Sequence, residues 1–508
     1  MTSEGSSDSS PQQVDRNPSD PHAHSQSAAA RNAVSLLASR LVVALLGWSG
    51  TVLIAHILSP TDWGVFSFVF GLLSMMSIVT DLGVGRVVLA KLLDADADEA
   101  EVVASSFIAL RAALGLLGYL VALGYVLVMG YDGDVIRATA LAGLCVIIAT
   151  PAHALMTLYQ SRLKLTVVAM AESVAQFVQL LLTVLAAVTY PTLLIFILPA
   201  IANQLVGGAW KLYGVRRGWV GVRITRRPEL WRWREMLRDA ATLSLGMAMI
   251  TLLSGINILM LGKMDNFDSV GLYSVANKFP DVLGYVAPAI VTPTATLLVA
   301  AWPLYPDRFR DRMRSAAVGI TAVAALAVTG MWASAEQIIG LLYGSRFAVA
   351  ADACRMLLVG AVFAAISQLI LAAFVSAGKQ RSYPWVALGA LIVNSGLNFL
   401  LIPRFSYTGA AAATLTTQLA MVIAMSVLLS RTLPIARLLP IGRVLLVAAL
   451  SATVCGLTSL LSSFGTPWIV VAGAAGLLYC GGAWILKLFP PDIASRFIRK
   501  QNRQRSGT

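Results

Sequence analysis

Fourteen apolar stretches follow one another from about residue 33 to residue 488. Each is near the ~20 residues that carry a helix across a bilayer, and no other feature constrains the fold so strongly. They cover 33–57, 63–85, 104–129, 135–158, 165–188, 191–211, 240–262, 270–300, 315–334, 352–376, 382–402, 407–430, 440–461 and 466–488, with Pro191 dividing the fifth from the sixth. In hydrocarbon a backbone must satisfy its own N–H and C=O groups, so stretches of this length are read as helices. Charged residues make up 12% of the 508, about half the usual share, too few to clothe a soluble chain of this size. Soluble enzymes and secreted disulfide scaffolds are excluded, and an all-α integral membrane protein of about fourteen spans is expected.

The gaps between stretches fall into two alternating sets of very different charge. One set, with the two tails, holds 30 lysines and arginines, and the other holds Arg137, Lys263, Arg346 and Arg404. Cytoplasmic loops carry the excess of Lys and Arg, so both termini are expected in the cytoplasm, as an even number of spans requires. Dispersal of the +13 net charge through short gaps argues against nucleic acid, whose binders gather cations on one face. Residues 1–30 read as a disordered cytoplasmic tail without a signal peptide, and 489–508 as a basic cytoplasmic tail. Cys145, Cys354, Cys455 and Cys480 stand singly in apolar segments, which suits small buried residues better than metal or redox chemistry.

A weak repeat runs through the chain. Asp62-Trp63-Gly64-Val65-Phe66-Ser67 joins the first two stretches, and about 206 residues later Asp268-Ser269-Val270-Gly271-Leu272-Tyr273-Ser274 joins the seventh and eighth. A parallel repeat of six helices about an axis along the membrane normal is one transporter plan. It divides the chain into a six-helix bundle at 31–211, a basic cytoplasmic linker at 212–239, a second six-helix bundle at 240–430 and two extra helices at 431–488. In the linker, Trp219, Trp231 and Trp233 alternate with arginines, a pattern expected of a helix lying on anionic headgroups.

No stretch reads as an enzyme: there is no Walker loop, GxSxG, HExxH or Cys/His ligand set. The longest gap on the cation-poor side, roughly 335–351, is mostly apolar and offers little to a polymerase or ligase. Transport is the expectation, and it turns attention to charges inside the spans, which usually face a cavity. These are Arg40, Arg111, Lys278 and Arg355 against Glu172 and Asp281. A cavity with that bias suits an anionic group such as a pyrophosphate, for which Lys278, Arg40 and Arg111 are the candidates. Arg40 and Arg111 could equally snorkel to the nearer surface, and Lys278 and Asp281, spaced i, i+3, could neutralise one another. Glu172 and Asp281 are candidates for ion coupling, although Glu172 could instead bond Gln176 one turn on. Asn257, Gln368, Asn394 and Asn398 could touch sugar hydroxyls or bridge helices. Pro280, Pro288 and Pro293 in the eighth stretch mark a helix that lines a cavity, bends or is merely kinked.

Three segments carry a family resemblance. ILSPTDWGVFSFVFGLLSMMSIVTDLGVGR holds the first junction and Asp81-Leu82-Gly83; INILMLGKMDNFDSVGLYSVANKF holds the seventh-to-eighth junction; NSGLNFLLIPRFSYTGAAAATLTTQ holds the eleventh-to-twelfth. Together they resemble the bacterial polysaccharide flippases of the O-antigen and exopolysaccharide type, in the multidrug/oligosaccharidyl-lipid/polysaccharide exporter superfamily, over nearly all of 31–488. Asn257 stands where many relatives have Asp, and Ser406 where Gly is common. The resemblance implies a V-shaped core of two bundles plus two helices that works by alternating access in the inner membrane, as a monomer. It implies an oligosaccharide on undecaprenyl pyrophosphate as substrate and polymerase machinery as a partner; nothing in the chain itself calls for a tightly bound cofactor. Two further readings stand beside it: a cation-coupled multidrug-type exporter of the same superfamily, and a lipid II flippase.

Overall fold

A computed structural model describes residues 42–225, 228–379, 382–433 and 438–488. Both tails and Arg40 lie outside the described residues. Among these, the chain forms helices and no strands. The first bundle runs α1 (Val42–Ile57), α2 (Pro60–Met75), the single turn α3 (Ser77–Thr80), α4 (Val84–Asp94), α5 (Ala97–Val128), α6 (Gly133–Ala142), α7 (Leu144–Ser161), α8 (Leu165–Thr189) and α9 (Leu193–Arg216). The second runs α10 (Trp231–Met264), α11 (Phe267–Ala301), α12 (Pro306–Trp332), α13 (Ala335–Tyr343), a 3₁₀ turn (Ser345–Ala350), α14 (Ala351–Ser376) and α15 (Tyr383–Thr432), and α16 (Ile441–Ser463) and α17 (Trp468–Ile485) follow. Here α2 with α3, and α6 with α7, each make one crossing. The 50-residue α15 makes two, because Ser406 (φ 54°, ψ −136°) folds it back on itself. Counted so, and with the shorter apolar helix α1 and the apolar 248–264 part of α10, the described residues hold fourteen candidate crossings.

The two sets of gaps gather at opposite ends. On the cation-poor side Lys263 donates to Met129 O at 2.7 Å and Arg346 to His56 O at 2.8 Å. Ser406 reaches Asp265 at 2.5 Å and Ser269 at 2.7 Å. Where a glycine would relax the left-handed turn, this serine instead ties the α15 fold to the α10–α11 junction. On the basic side Lys164 bonds Trp219 O at 2.5 Å, and the chain after α9 lies along α5 through Thr225 N to Ser105 Oγ at 2.8 Å and Glu229 N to Ser106 Oγ at 2.9 Å.

The repeat is visible as symmetry. Ser59 caps α2 by accepting from Asp62 N at 3.0 Å, and Asn266 caps α11 by accepting from Ser269 N at 2.9 Å. Counterparts are 207 residues apart, and two of them meet their own images: Ser67 Oγ donates to Ser274 Oγ at 2.9 Å, and Thr61 bonds Asp268. A two-fold axis therefore passes between α2 and α11. Only glycine fits beside it: a Cβ on Gly64 would lie 1.7 Å from Phe267 O, and one on Gly271 would lie 2.4 Å from Pro60 O.

Packing follows the same division. One apolar core near the cation-poor side draws on both bundles, from Trp63 and Phe68 to Val270, Tyr273 and Phe347. Toward the basic side the core splits, one part built around Phe107, Leu158 and Val215 and the other around Phe309, Leu369 and Met425. The bundles share one core near the cation-poor side, and toward the basic side they meet again through the first turns of α10, whose Met236 and Ala240 belong to the core around Phe107 and Leu158. The two extra helices pack on α12 through Val447, Tyr479 and Ala483.

Several elements differ from the sequence reading. The linker tryptophans do not begin a separate surface helix: Trp231 and Trp233 open α10, which runs unbroken to Met264. No breaker interrupts it after Pro228, and its first turns dock on α4 and α5 through Lys91 to Glu235 (2.7 Å) and Asp239 (3.0 Å), and Trp233 Nε1 to Ser106 O (3.0 Å). Lys91, pulled down by burial but held more strongly by the two carboxylates, titrates above the ordinary lysine value. The second stretch ends early, at Thr80, because Leu82 (φ 44°) and Gly83 (φ 67°) turn the chain into α4. The apolar 335–351 gap folds into α13 and the 3₁₀ turn, burying Ile339, Tyr343 and Phe347.

Candidate functional site

A cavity of about 240 Å³ lies between the two bundles, walled by α1, α2, α8 and α9 and reached from the other bundle by Lys278 alone. The helix α11 begins at the cation-poor side, and at ~1.5 Å per residue Lys278 stands roughly 16 Å along it. That depth is near the middle of a ~30 Å hydrocarbon core, too deep to snorkel easily. Lys278 is half-buried and is the one charged residue among those lining the cavity. Asp281 makes no direct ion pair with it, although the two act on one another electrostatically; that carboxylate accepts from Asn277 Nδ2 at 3.0 Å on the same helix. A half-buried ammonium in a wall without carboxylates is an attractive place for an anion.

The rest of the wall mixes rings and amides. Phe66 and Phe70, one turn apart on α2, stand with ring centroids 4.6 Å apart, and Trp63 stacks on Phe66 at 5.4 Å. Opposite them α8 presents Gln176 and Gln179. Gln176 does not bond Glu172; its Oε1 accepts from Asn203 Nδ2 at 3.3 Å, which joins α8 to α9. The side-chain amide of Gln179 has no hydrogen-bond partner among the described residues. Thr51 and Thr183 donate to carbonyls of their own helices at 2.9 and 2.8 Å and keep lone pairs for the cavity.

Other residues singled out by sequence lie elsewhere. Arg111 is buried, 5% exposed, and its Nη1 donates to Thr80 O at 2.6 Å and Asp81 Oδ1 at 2.7 Å, while its Nε has no partner among the described residues. The Asp-Leu-Gly motif thus reads physically: Asp81 holds Arg111, and Leu82 and Gly83 supply the left-handed turn into α4. Glu172 is exposed and acts electrostatically on Lys211. The sequence places Lys211 in a basic gap, but α9 runs past it and leaves it 5% exposed, its backbone O accepting from Tyr159 Oη at 2.8 Å. Arg355 is tied at the cation-poor end to Trp332 O (2.8 Å) and Asp352 (2.6 Å).

The asparagines form a buried network between α10 and the two arms of α15. Asn398 Nδ2 donates to Asn257 Oδ1 at 2.6 Å and Asn394 Oδ1 at 3.0 Å, Asn257 Nδ2 to Thr414 at 3.1 Å, and Asn394 Nδ2 to Thr417 at 3.3 Å. All three are at most 4% exposed, so in this conformation they bridge helices. Sequence reasoning missed Gln179, Phe66 and Phe70; a Gln pair spaced i, i+3 in the middle of a membrane-spanning helix was the available signal.

The sequence model of the family described as polysaccharide biosynthesis protein matches residues 29–296. Comparison with curated proteins gives no match. Among solved structures, a lipid II flippase MurJ in an inward closed conformation aligns with TM-score 0.72 at 13% identity, covering 89% of this chain and 98% of that one. An inward-facing multidrug resistance transporter of the MATE family, in the MOP superfamily, aligns with TM-score 0.63 at 16% identity, covering 79% and 99%. At such identities the likeness is one of fold, and the fold is that of multi-pass membrane transporters.

Proposed function

The chain belongs to the polysaccharide biosynthesis protein family, and on that premise we propose that it is a flippase for oligosaccharides carried on undecaprenyl pyrophosphate. It moves them from the cytoplasmic to the outer leaflet of the inner membrane by alternating access and catalyses no covalent step. The observation that carries this reading is Lys278: a mid-membrane cation that crosses from one bundle into a cavity walled by the other, where a pyrophosphate would bridge the two. By the positive-inside argument the basic side faces the cytoplasm, so substrate enters there when α10 releases α4 and α5, and leaves when the opposite side parts. Polar headgroups travel between the bundles while the polyprenyl tail stays in lipid. Glu172 and Asp281, carboxylates within spans, are the candidates for coupling to an ion gradient, and normal transport by Glu172→Gln across the neutral pH range would remove Glu172 from that role. The protein acts as a monomer that hands its product to polymerase machinery.

A lipid II flippase is the second reading, favoured by the fold likeness to one. A multidrug-type exporter fits less well, since cationic drugs call for acids and the described cavity wall has none. Mass spectrometry of polyprenyl lipids from cells lacking the gene tests the choice. Accumulated pyrophosphate-linked oligosaccharide and lost surface glycan, restored by the wild type but not by Lys278→Ala at equal expression, is the expected result. Accumulated lipid II with a growth arrest would select the second reading. Unchanged lipids with new sensitivity to cationic dyes would select the exporter.

A further inference from the structure

We propose that the first bundle's part of the cavity is a sugar-ring subsite in which Gln179 reads hydroxyl groups while Phe66 and Phe70 take the C–H face of the ring. The inference rests on the lipid-linked glycan reading and names the part of the cavity that touches the glycan.

A polar group that stays unpaired within a membrane-spanning wall is costly unless something fills its bonds. Gln176 has a protein partner in Asn203, whereas Gln179, one turn along the same face, has none among the described residues. Its amide offers two donors and an acceptor. An acyl chain cannot satisfy those groups, and a phosphate can use only the donors. A sugar hydroxyl both donates and accepts, so it matches the whole amide. Hydroxyls on a pyranose lie around its rim and leave apolar C–H patches on its faces. The wall has the complementary division, with amides on α8 and the paired rings of Phe66 and Phe70 on α2. Aromatic rings offer rigid apolar surface of this kind.

Volume narrows the claim. About 240 Å³ equals the space of roughly eight waters at ~30 Å³ each and is below the ~300–1,000 Å³ of common ligand pockets. A single ring fits, and the remaining sugar residues lie outside this chamber. Since Lys278 lines the same cavity, charge and sugar are recognised in one chamber by different bundles. The buried asparagines are then structural, and glycan selectivity lies with Gln179.

The test measures binding by the purified full-length protein in nanodiscs. Two probes are used: undecaprenyl pyrophosphate without sugar, and the undecaprenyl-pyrophosphate-linked glycan extracted from the host's own membranes. Gln179→Leu keeps the bulk and removes the hydrogen bonds; Phe70→Leu, as a second variant, removes a ring. One or two lost bonds correspond to about tenfold weaker binding. The expected result is that loss for the glycan-bearing lipid in both variants, with the sugar-free lipid bound as by wild type. Gln179→Leu that binds both probes like wild type, or weakens both equally, overturns the subsite; if Lys278→Ala still loses both probes, the flippase reading survives. Wild-type protein that binds neither probe defeats the flippase reading and the subsite with it.

Discussion

Closure of the joined face depends on two glycines that have no room for a methyl group, which makes Gly64→Ala a sharp probe of alternating access. The added Cβ would stand 1.7 Å from Phe267 O, against the 3.0 Å that real Cβ contacts respect. The obstacle is backbone, so no rotamer change relieves it, and α2 and α11 must move apart by more than an ångström. Overpacking of this kind costs about 1–3 kcal/mol, and here the cost falls on the closed face alone. A shift of that size is roughly 5–150-fold in the balance between conformations. The assay is oxidative cross-linking of Ser67→Cys with Ser274→Cys, positions whose hydroxyls stand 2.9 Å apart on the symmetry axis. Adding Gly64→Ala should slow that cross-link by a factor in this range and lower glycan export, whereas Gly124→Ala, whose Cβ meets nothing within 4 Å, should do neither. Unchanged cross-linking and export in Gly64→Ala would refute the claim that this contact is the closed gate.

At the opposite face, Lys91→Ala should free the first turns of α10 from α4 and raise labelling of a cysteine at Met236, a core residue of that contact. Because the Lys91 pKa is raised above 10.5, its ion pairs hold fully below that value and fail only as pH climbs past the raised one; labelling that changes between mildly acidic and mildly alkaline buffer would contradict this assignment. Asp81→Asn removes the charge that compensates buried Arg111. Discounted for the 46% exposure of Asp81, the cost should be about 1–3 kcal/mol, and adding Arg111→Met should recover part of the lost thermal midpoint; a further drop would show that the pair is not what Arg111 needs. Asn398→Leu strands Asn257 Oδ1 and Asn394 Oδ1 in the core at about 1–3 kcal/mol each, so an unchanged unfolding midpoint in detergent would mean that the network contributes nothing.

Much of the architecture was legible because a bilayer sets helix length and the alternation of loop charge from outside the protein. The weak repeat proved to be a contact, with Ser67 on Ser274 and Thr61 on Asp268, since symmetry puts equivalent residues together at its axis. The turn at Leu82 and Gly83 was not legible, since Leu gives no sign that its φ will be positive. Nor was the docking of α10, where Lys91 meets Glu235 across a span of sequence that no local pattern connects. The site was legible only in Lys278. In a membrane protein both the lipid-facing and the packed sides of a helix are apolar, so polar residues do not declare which neighbour they face. Asn257, Asn394 and Gln179 look alike in sequence; two bridge helices and one lines the cavity.

The central claim is that this chain carries a pyrophosphate-linked glycan across a bilayer, and translocation by the purified protein tests it most directly. The extracted host lipid is incorporated into proteoliposomes, and its exposure on the outer leaflet is followed with a glycosidase or lectin that cannot enter. The account predicts that wild-type protein exposes the internal pool and that Lys278→Ala at equal incorporation does not. Exposure no faster with wild-type protein than in empty liposomes, or equally fast with Lys278→Ala, would contradict it.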